Sequence, residues 1–453
     1  MKKILLFAAF LVVLSAQAQD YWTERATSQP AASTGMRSIS IVDDNIAWLS
    51  NSCGTTGCTP IRRYSLTTDY GVNWTTNAID LGASGANLEI ANICGVSATT
   101  AYAAVFPRAA GTVGGVWQTT NAGLTWTRMP SASYNGADGA SFTNLVHFWD
   151  ANVGVTMGDP SDGYFEIYTT TNGGANWVRT PSANIPVPLD PLEYGLTNQY
   201  SVTGNKIWFG TTFGRIFMST DKGLTWTVSQ SPIPDFGGGI NGEESGDLAF
   251  TSETAGILQT SNYLLFNTTD GGDTWSEVLW SGVLRNFGVS EIPGLDNTYI
   301  SVGEDLDAVR GSSFSTDGGL NWTNINDNPD LTYVDGGVVA FKDSDTGYAS
   351  SFSTSAVVGG IFTWKGNSLS TNVFSNDKGF TAFINASSGM LEVNGKNITN
   401  VSVFDVLGKQ VYNGSFTSVE SASIAAGNFN SGIYLVQVTN NAGASSTVKV
   451  VKN

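Results

Sequence analysis

The side chains of this 453-residue chain best suited to chemistry are carboxylates gathered in short runs. Asp159 and Asp162 share the stretch 158–163, and Asp190, Glu193 and Tyr194 share 181–199. Asp235, Glu243 and Glu244 fall in 231–247, while Glu304, Asp305, Asp307 and Arg310 fall in 303–310. Such runs could bind Ca²⁺, which takes several hard oxygen ligands, or draw in a basic partner. Solvated loop carboxylates have the same composition, and no run has EF-hand spacing. Carboxylate pairs also serve glycoside hydrolysis, one as acid and one as base or nucleophile. With 38 Asp and Glu the chain offers too many pairs for sequence to choose among, so no catalytic residue is assigned. His147 is the single histidine and reads as a core or channel-lining residue. With Cys53, Cys58 and Cys94 it makes up the whole stock of Cys/His ligands, which leaves a four-ligand zinc site unsupported. Cys53 and Cys58 flank a Gly-containing loop that could close as a disulfide outside the cytoplasm; unpaired small apolar side chains are the alternative.

The chain carries 52 Gly and only 13% charged residues, which leans towards turn-rich all-β structure. Thirteen Trp, 15 Tyr and 23 Phe supply ample surface to bury, so a disordered chain is excluded. A net charge of −17 argues against nucleic acid, whose phosphates are bound by Lys and Arg. Residues 1–18 read as a secretory signal peptide: Lys2-Lys3, an apolar stretch too short to span a bilayer, then Ala16-Gln17-Ala18. No later segment is long and apolar enough to cross a membrane as a helix.

Six segments align without gaps. Each has Ser or Thr, then Asp or Asn two residues on, Gly two further, and Trp three further. They are Asp69/Gly71/Trp74, Asn121/Gly123/Trp126, Asn172/Gly174/Trp177, Asp221/Gly223/Trp226, Asp270/Gly272/Trp275 and Asp317/Gly319/Trp322. Successive Trp are 52, 51, 49, 49 and 47 residues apart, the length of one four-stranded propeller blade. In each turn the hydroxyl and the Asp or Asn side chain can bond backbone N–H groups, Gly accepts positive φ, and Trp packs over the hairpin. The pattern resembles the Asp-box, or BNR repeat, of sialidases, sortilin-type receptors and photosystem II assembly factors. That resemblance implies a structural role for the boxes, remote from any active site. The stretch 146–177 is most similar to the assembly-factor type, a family that holds protein partners without chemistry of its own.

Six boxes give six blades. Residues 21–25 resemble an outer strand lacking its box, and 336–364 supply three strands with no box to follow. The expected fold is therefore all-β: a seven-bladed propeller over 19–368, its last blade completed by the N-terminal strand, which hides sheet edges. Blade topology puts the boxes on one face and the acidic runs on the other, where propellers usually bind ligands. Sialidases grip a substrate carboxylate with three arginines. Arg215, Arg285 and Arg310 are available, but no Arg-Ile-Pro motif precedes the first box.

From 369 onward the pattern changes. Phe404-Asp405-Val406-Leu407-Gly408-Lys409, Ser431-Gly432-Ile433-Tyr434-Leu435-Val436 and Lys449-Val450-Val451-Lys452 resemble the type A C-terminal sorting domain of type IX secretion cargo. The usual proline-containing opening is absent from 373–377. The resemblance implies that 369–453 form a small β-sandwich addressed to the outer-membrane secretion machinery. It also implies passage through the periplasm to the medium or the cell surface. A carbohydrate-binding or adhesion sandwich is the alternative. The expected protein is a monomeric, non-enzymatic scaffold without a resident cofactor, binding an extracellular protein or glycan through Asp159, Asp162, Glu193, Tyr194, Arg215, Glu243, Glu244, Glu304, Asp305 and Arg310. A propeller glycoside hydrolase acting on extracellular polysaccharide is the second reading.

Overall fold

A computed structural model describes residues 21–55, 58–135, 142–242, 244–331, 338–364, 381–385, 389–405, 409–441 and 445–452. Residues 1–18, Glu243 and the Leu407-Gly408 turn lie outside them. The chain divides into two compact units, 1–369 and 370–453.

The first unit is an all-β propeller. Its strands alternate short apolar runs with tight turns, and each set of four consecutive strands pairs antiparallel. Thr34–Ile41, Ala47–Cys53, Arg63–Thr67 and Thr75–Ala78 form one such group. The order repeats over 88–128, 143–179, 195–230, 246–277 and 288–327. The last group takes Val339–Phe341, Gly347–Ser355 and Val358–Trp364, then turns to the other end of the chain for Trp22–Ala26. Trp22 registers against Trp364 and Ala26 against Gly360. Trp22 and Trp364 are wholly buried, meet edge-on at 4.9 Å between centroids and share a core with Phe341, so this closure is apolar as well as hydrogen-bonded.

The six repeated turns share one wiring around the hydroxyl, the Asp or Asn and the Gly. In the turn 219–226, the Ser219 hydroxyl donates to Asp221 Oδ1 at 2.8 Å and accepts from the Gly223 N–H at 2.8 Å. Asp221 Oδ1 also accepts from the Thr225 N–H at 2.8 Å. The same Gly N–H to hydroxyl bond recurs at Gly71, Gly123, Gly174, Gly272 and Gly319. Two successive residues take positive φ in every turn. The first of them is Tyr70, Ala122 or Lys222 in three turns and glycine in the others. The N–H of that first residue donates to a carbonyl in the loop between strands one and two, as Tyr70 does to Asn45 and Lys222 to Asn205. Hydroxyl and indole groups of the preceding blade hold the turns from the other side: Tyr64 donates to the Ala122 carbonyl at 2.9 Å, and Trp208 to Gly271 at 2.8 Å. The turns therefore form a lower face that fastens blade to blade.

The tryptophans that close these turns depart from the sequence expectation in two ways. Rather than covering only their own hairpins, they enter the apolar cores shared with the preceding blade. Trp74 joins Tyr348 and Ile361, Trp126 joins Trp48 and Tyr64, and Trp177 joins Tyr102. Trp226 joins Val155 and Ile167, Trp322 joins Leu265, and Trp275 packs against the core that holds Trp208. Five of the six are buried and Trp275 is half-buried, because an indole carries more apolar surface than one thin hairpin can cover. The second departure concerns the indole N–H. Trp74, Trp226 and Trp275 donate to the carbonyl of their box glycine at 3.0, 3.1 and 3.1 Å. In Trp126, Trp177 and Trp322 the buried Nε1 has no hydrogen-bond partner among the described residues, so packing alone holds these rings. The box tryptophans are thus wedges between blades, and five of the six are withdrawn from the surface.

The second unit builds one five-stranded sheet from Thr381–Asn385, Met390–Asp405, Gln410–Ala425, Gly432–Asn440 and Ser445–Lys452. The register of the long central strand breaks between Asn394 and Ile398. Before the break it pairs with Thr381–Asn385 and after it with Gly432–Asn440, so both halves contribute to one core of Leu391, Val393, Val401, Val403 and Val436. Lys452 anchors the last strand by donating to the Ala426 carbonyl at 2.7 Å.

Candidate binding face

The opposite, upper face of the propeller carries two kinds of segment: the loops between strands two and three, and the connections that lead from one blade to the next. Backbone hydrogen bonds join them repeatedly, for example Asp159 N–H to the Phe142 carbonyl, Thr212 to Tyr194 and Ser261 to Ser245. All the runs of acidic residues singled out from the sequence emerge at this end, and the structure puts them to different uses.

Glu193 is wholly buried and Arg215 nearly so. Arg215 donates to both carboxylate oxygens, Nε to Oε1 at 2.8 Å and Nη2 to Oε2 at 2.6 Å, a bidentate pair. Around it, the Leu189 N–H donates to Glu193 Oε2 at 2.6 Å, Thr211 donates to Oε1 at 2.8 Å, and Arg215 Nη2 donates to the Val187 carbonyl at 2.9 Å. Asp235 is also wholly buried. Its two oxygens accept N–H groups from Gly237, Gly238, Ile240 and Asn241 and shape that loop from within. Tyr194 donates its hydroxyl to the Gly238 carbonyl at 3.3 Å, tying the two loops together. Burial, with the charges of Asp159 and Asp235 nearby, pushes the Tyr194 phenol up. Glu244 is half-buried, and its Oε1 has no hydrogen-bond partner among the described residues.

On blade three, Asp162 sits at φ 60° and pairs with Arg179 at 2.7 Å, whose guanidinium lies over Tyr164. Asp159 points inward: Asn144 Nδ2 donates to its Oδ1 at 2.6 Å, and burial pushes its carboxyl up to about 7. On blade six, Arg310 Nε pairs with Glu304 at 2.9 Å. The wholly buried Arg285 reaches Asp327 at 2.9 Å and Asp305 at 3.3 Å. Glu304, Ala308, Val309, Arg310, Asp327 and Pro329 line an open cavity of about 440 Å³. The site candidates thus form two groups rather than one centre: Asp159, Glu193, Tyr194 and Arg215 gather around the connection between blades three and four, and Glu304, Asp305 and Arg310 sit on blade six.

Along the inner strands, burial pushes Asp247 up to about 6 and Glu291 up to about 7, the latter aided by the charge of Asp247. Burial pushes His147 down to about 4, so it is neutral near pH 7, between the rings of Trp149 and Tyr200. Among the described residues no three His, Cys, Asp or Glu side chains are grouped to hold a metal ion. A disulfide joins Cys53 to Cys58, and Cys94 is buried as a free thiol.

One feature of this face escaped sequence reasoning. Ten of the 18 exposed large apolar side chains among the described residues sit on upper loops, including Val187, Leu189, Leu192, Ile240, Leu306 and Val357. Four others mark the lower turns, one to a blade: Val72, Leu124, Leu224 and Leu320. The signal available in sequence was the run of prolines around Val187, Leu189 and Leu192, which keeps a loop extended over the surface.

Residues 383–453 match the family described as the secretion system C-terminal sorting domain. The chain carries a type IX secretion sorting tail. It is accordingly a secreted or cell-surface protein. The propeller is similar to the solved structure of YCF48 from Cyanidioschyzon merolae at 17% identity, with a TM-score of 0.50, covering 76% of this chain and 99% of that one. A structure described as YCF48 bound to D1 peptide matches at 14% identity and a TM-score of 0.49, covering 77% and 98%. PorZ, a surface component of the type IX secretion system of Porphyromonas gingivalis, matches at 12% identity and a TM-score of 0.34, covering 90% and 68%. Identities this low show shared fold alone. No curated protein matches the chain.

Proposed function

We propose that this protein is a non-enzymatic seven-bladed scaffold whose Asp-box turns are structural and whose upper loops bind an extracellular protein or glycan. Export rests on residues 369–453, which address the outer-membrane secretion machinery. The observation that carries the binding reading is the group of exposed aliphatic side chains Val187, Leu189 and Leu192 within six residues of one upper loop, because exposed apolar side chains grouped together mark interaction sites. The upper-face carboxylates support it. Glu193 and Asp235 hold loops in shape, and the cavity carboxylates Glu304 and Asp327 are each paired with an arginine.

Glycoside hydrolysis is the competing reading, and it needs two carboxylates facing a sugar-sized cleft. Purified protein assayed on a panel of chromogenic glycosides and polysaccharides is expected to show no turnover. Turnover lost in Glu304→Gln or Asp327→Asn would overturn the scaffold reading.

A further inference from the structure

The connection between blades three and four presents Val187, Leu189 and Leu192 at 68%, 65% and 56% exposure within six residues. These side chains are displayed on a fixed support. The Val187 carbonyl is held by Arg215, the Leu189 N–H by Glu193, and the Leu192 carbonyl by the Thr212 hydroxyl at 2.9 Å. Pro186, Pro188 and Pro191 restrict φ between them. A buried ion pair is a poor way to gain stability compared with apolar packing. Here it fixes the backbone of a loop whose apolar side chains face water, which lowers the ordering cost of binding.

The chemistry of the surface selects among partners. Among the described residues of 1–369, no Trp, Tyr or Phe is exposed. Sugar rings pack on flat aromatic faces and need partners for their hydroxyls. Branched aliphatic side chains offer neither, and burying a hydroxyl against them is costly. They suit instead an apolar groove on a protein, where a few central anchors carry most of the affinity. Charge narrows the class further. Asp190 lies between two of the anchors and Glu244 on the adjoining loop, neither in an ion pair among the described residues, on a chain of net charge −17. A basic partner complements them.

We infer that the 186–192 loop is the docking element for a basic protein that receives Val187, Leu189 and Leu192 in an apolar groove. This rests on the reading of the upper loops as the binding face. The test uses the full chain, immobilised, against a phage-displayed random peptide library and, in parallel, a glycan array. The enriched peptide is synthesised and its affinity measured by fluorescence anisotropy. The expected consensus combines apolar residues with Lys or Arg. Its affinity should fall about tenfold or more in Leu189→Ser/Leu192→Ser, stay unchanged in Leu124→Ser on a lower turn, and weaken with added salt. Tryptophan fluorescence verifies that both variants are folded. Peptide binding lost in Leu124→Ser but not in the loop variant overturns this inference together with the upper-face reading, whereas glycan capture that depends on the loop overturns this inference and leaves the upper-face reading standing. No enrichment on either library, or binding indifferent to both variants, overturns the two together.

Discussion

Replacing Glu193 by Gln strikes the support of the apolar loop while leaving its exposed side chains intact. The substitution removes the carboxylate that accepts two hydrogen bonds from the buried Arg215, so the guanidinium stays in the interior with no counter-charge. Losing one partner of a buried pair costs about 3–5 kcal/mol, because the other charge is left desolvated. For unfolding of a unit this large, a urea slope of about 3 kcal/mol/M lowers the midpoint by roughly 1–1.7 M. All 13 Trp lie between residues 22 and 364, so intrinsic fluorescence follows the propeller alone. The double variant Glu193→Met/Arg215→Met removes both charges and fills the space with apolar groups, and its midpoint should return to within about 0.5 M of wild type. It should nonetheless become cleavable by protease within 186–192, since the Val187 carbonyl and Leu189 N–H lose their holders. Equal midpoints for wild type and Glu193→Gln would refute the reasoning. So would a double variant as weak as the single one, or one that resists cleavage in the loop.

Three further outcomes are expected. In the turn 119–126, Gly123→Ala would bring a Cβ to 2.0 Å from the buried Tyr64 ring at φ 83° and should cost several kcal/mol, whereas Ala122→Gly relieves φ 59° and should gain about 0.5–1 kcal/mol in urea unfolding; similar midpoints for the two would be inconsistent with this. Stability should be greatest near pH 4. The Asp270 carboxyl, held down to about 2 by hydrogen bonds from Thr274, contributes stability above about pH 4 that disappears as pH falls towards 2. Asp159, Asp247 and Glu291, raised to about 7, 6 and 7 by burial, contribute stability below about pH 4 that is lost as pH climbs through 6 and 7. A urea midpoint that increases steadily from pH 5 to 8 would contradict the second half, and Glu291→Gln should flatten the decline. Thiol titration should find no reactive group in the native protein, one after denaturation and three after reduction, and reduction should cost about 2 kcal/mol for so short a loop; three thiols without reductant would rule the disulfide out.

The parts of this fold that could be read in the sequence are those whose partners lie close along the chain. Each repeated turn satisfies its backbone within a few residues, so Ser219, Asp221 and Gly223 announce their hydrogen bonds in their order. The tryptophans of the same turns were only half legible. Their burial could be expected, but the ring that Trp126 meets, Trp48, belongs to the blade before and lies more than 60 residues back, as does Trp208 in the core against which Trp275 packs. Closure by Trp22–Ala26 was legible for a different reason: a strand without a turn and three strands without a fourth leave one arrangement that pairs every edge. The upper face was harder. Glu193 and Asp235 look like rim carboxylates in sequence, and their burial depends on Arg215, 22 residues beyond Glu193, and on a ring of backbone N–H groups that only the folded loop presents. Val187, Leu189 and Leu192 carry no mark to separate them from core residues such as Ile185, which is buried in the same segment. Which way a side chain faces in an irregular loop is decided by tertiary contacts, and no periodicity records it.

The pairing of Trp22–Ala26 with Val358–Trp364 also sets an order of events for a chain that must leave the cell. The strand Trp22–Ala26 has no place to dock until more than 330 residues behind it have been made, so for most of the chain's synthesis it has no partner strand. The longest-range contact of the domain is then among the last to form, and loop closure over such a span is entropically unfavourable until its partner sheet exists. A propeller whose circle depends on this pairing stays open until Val358–Trp364 has been made. The same strand that makes the finished ring durable keeps the unfinished one in a form that can still be moved.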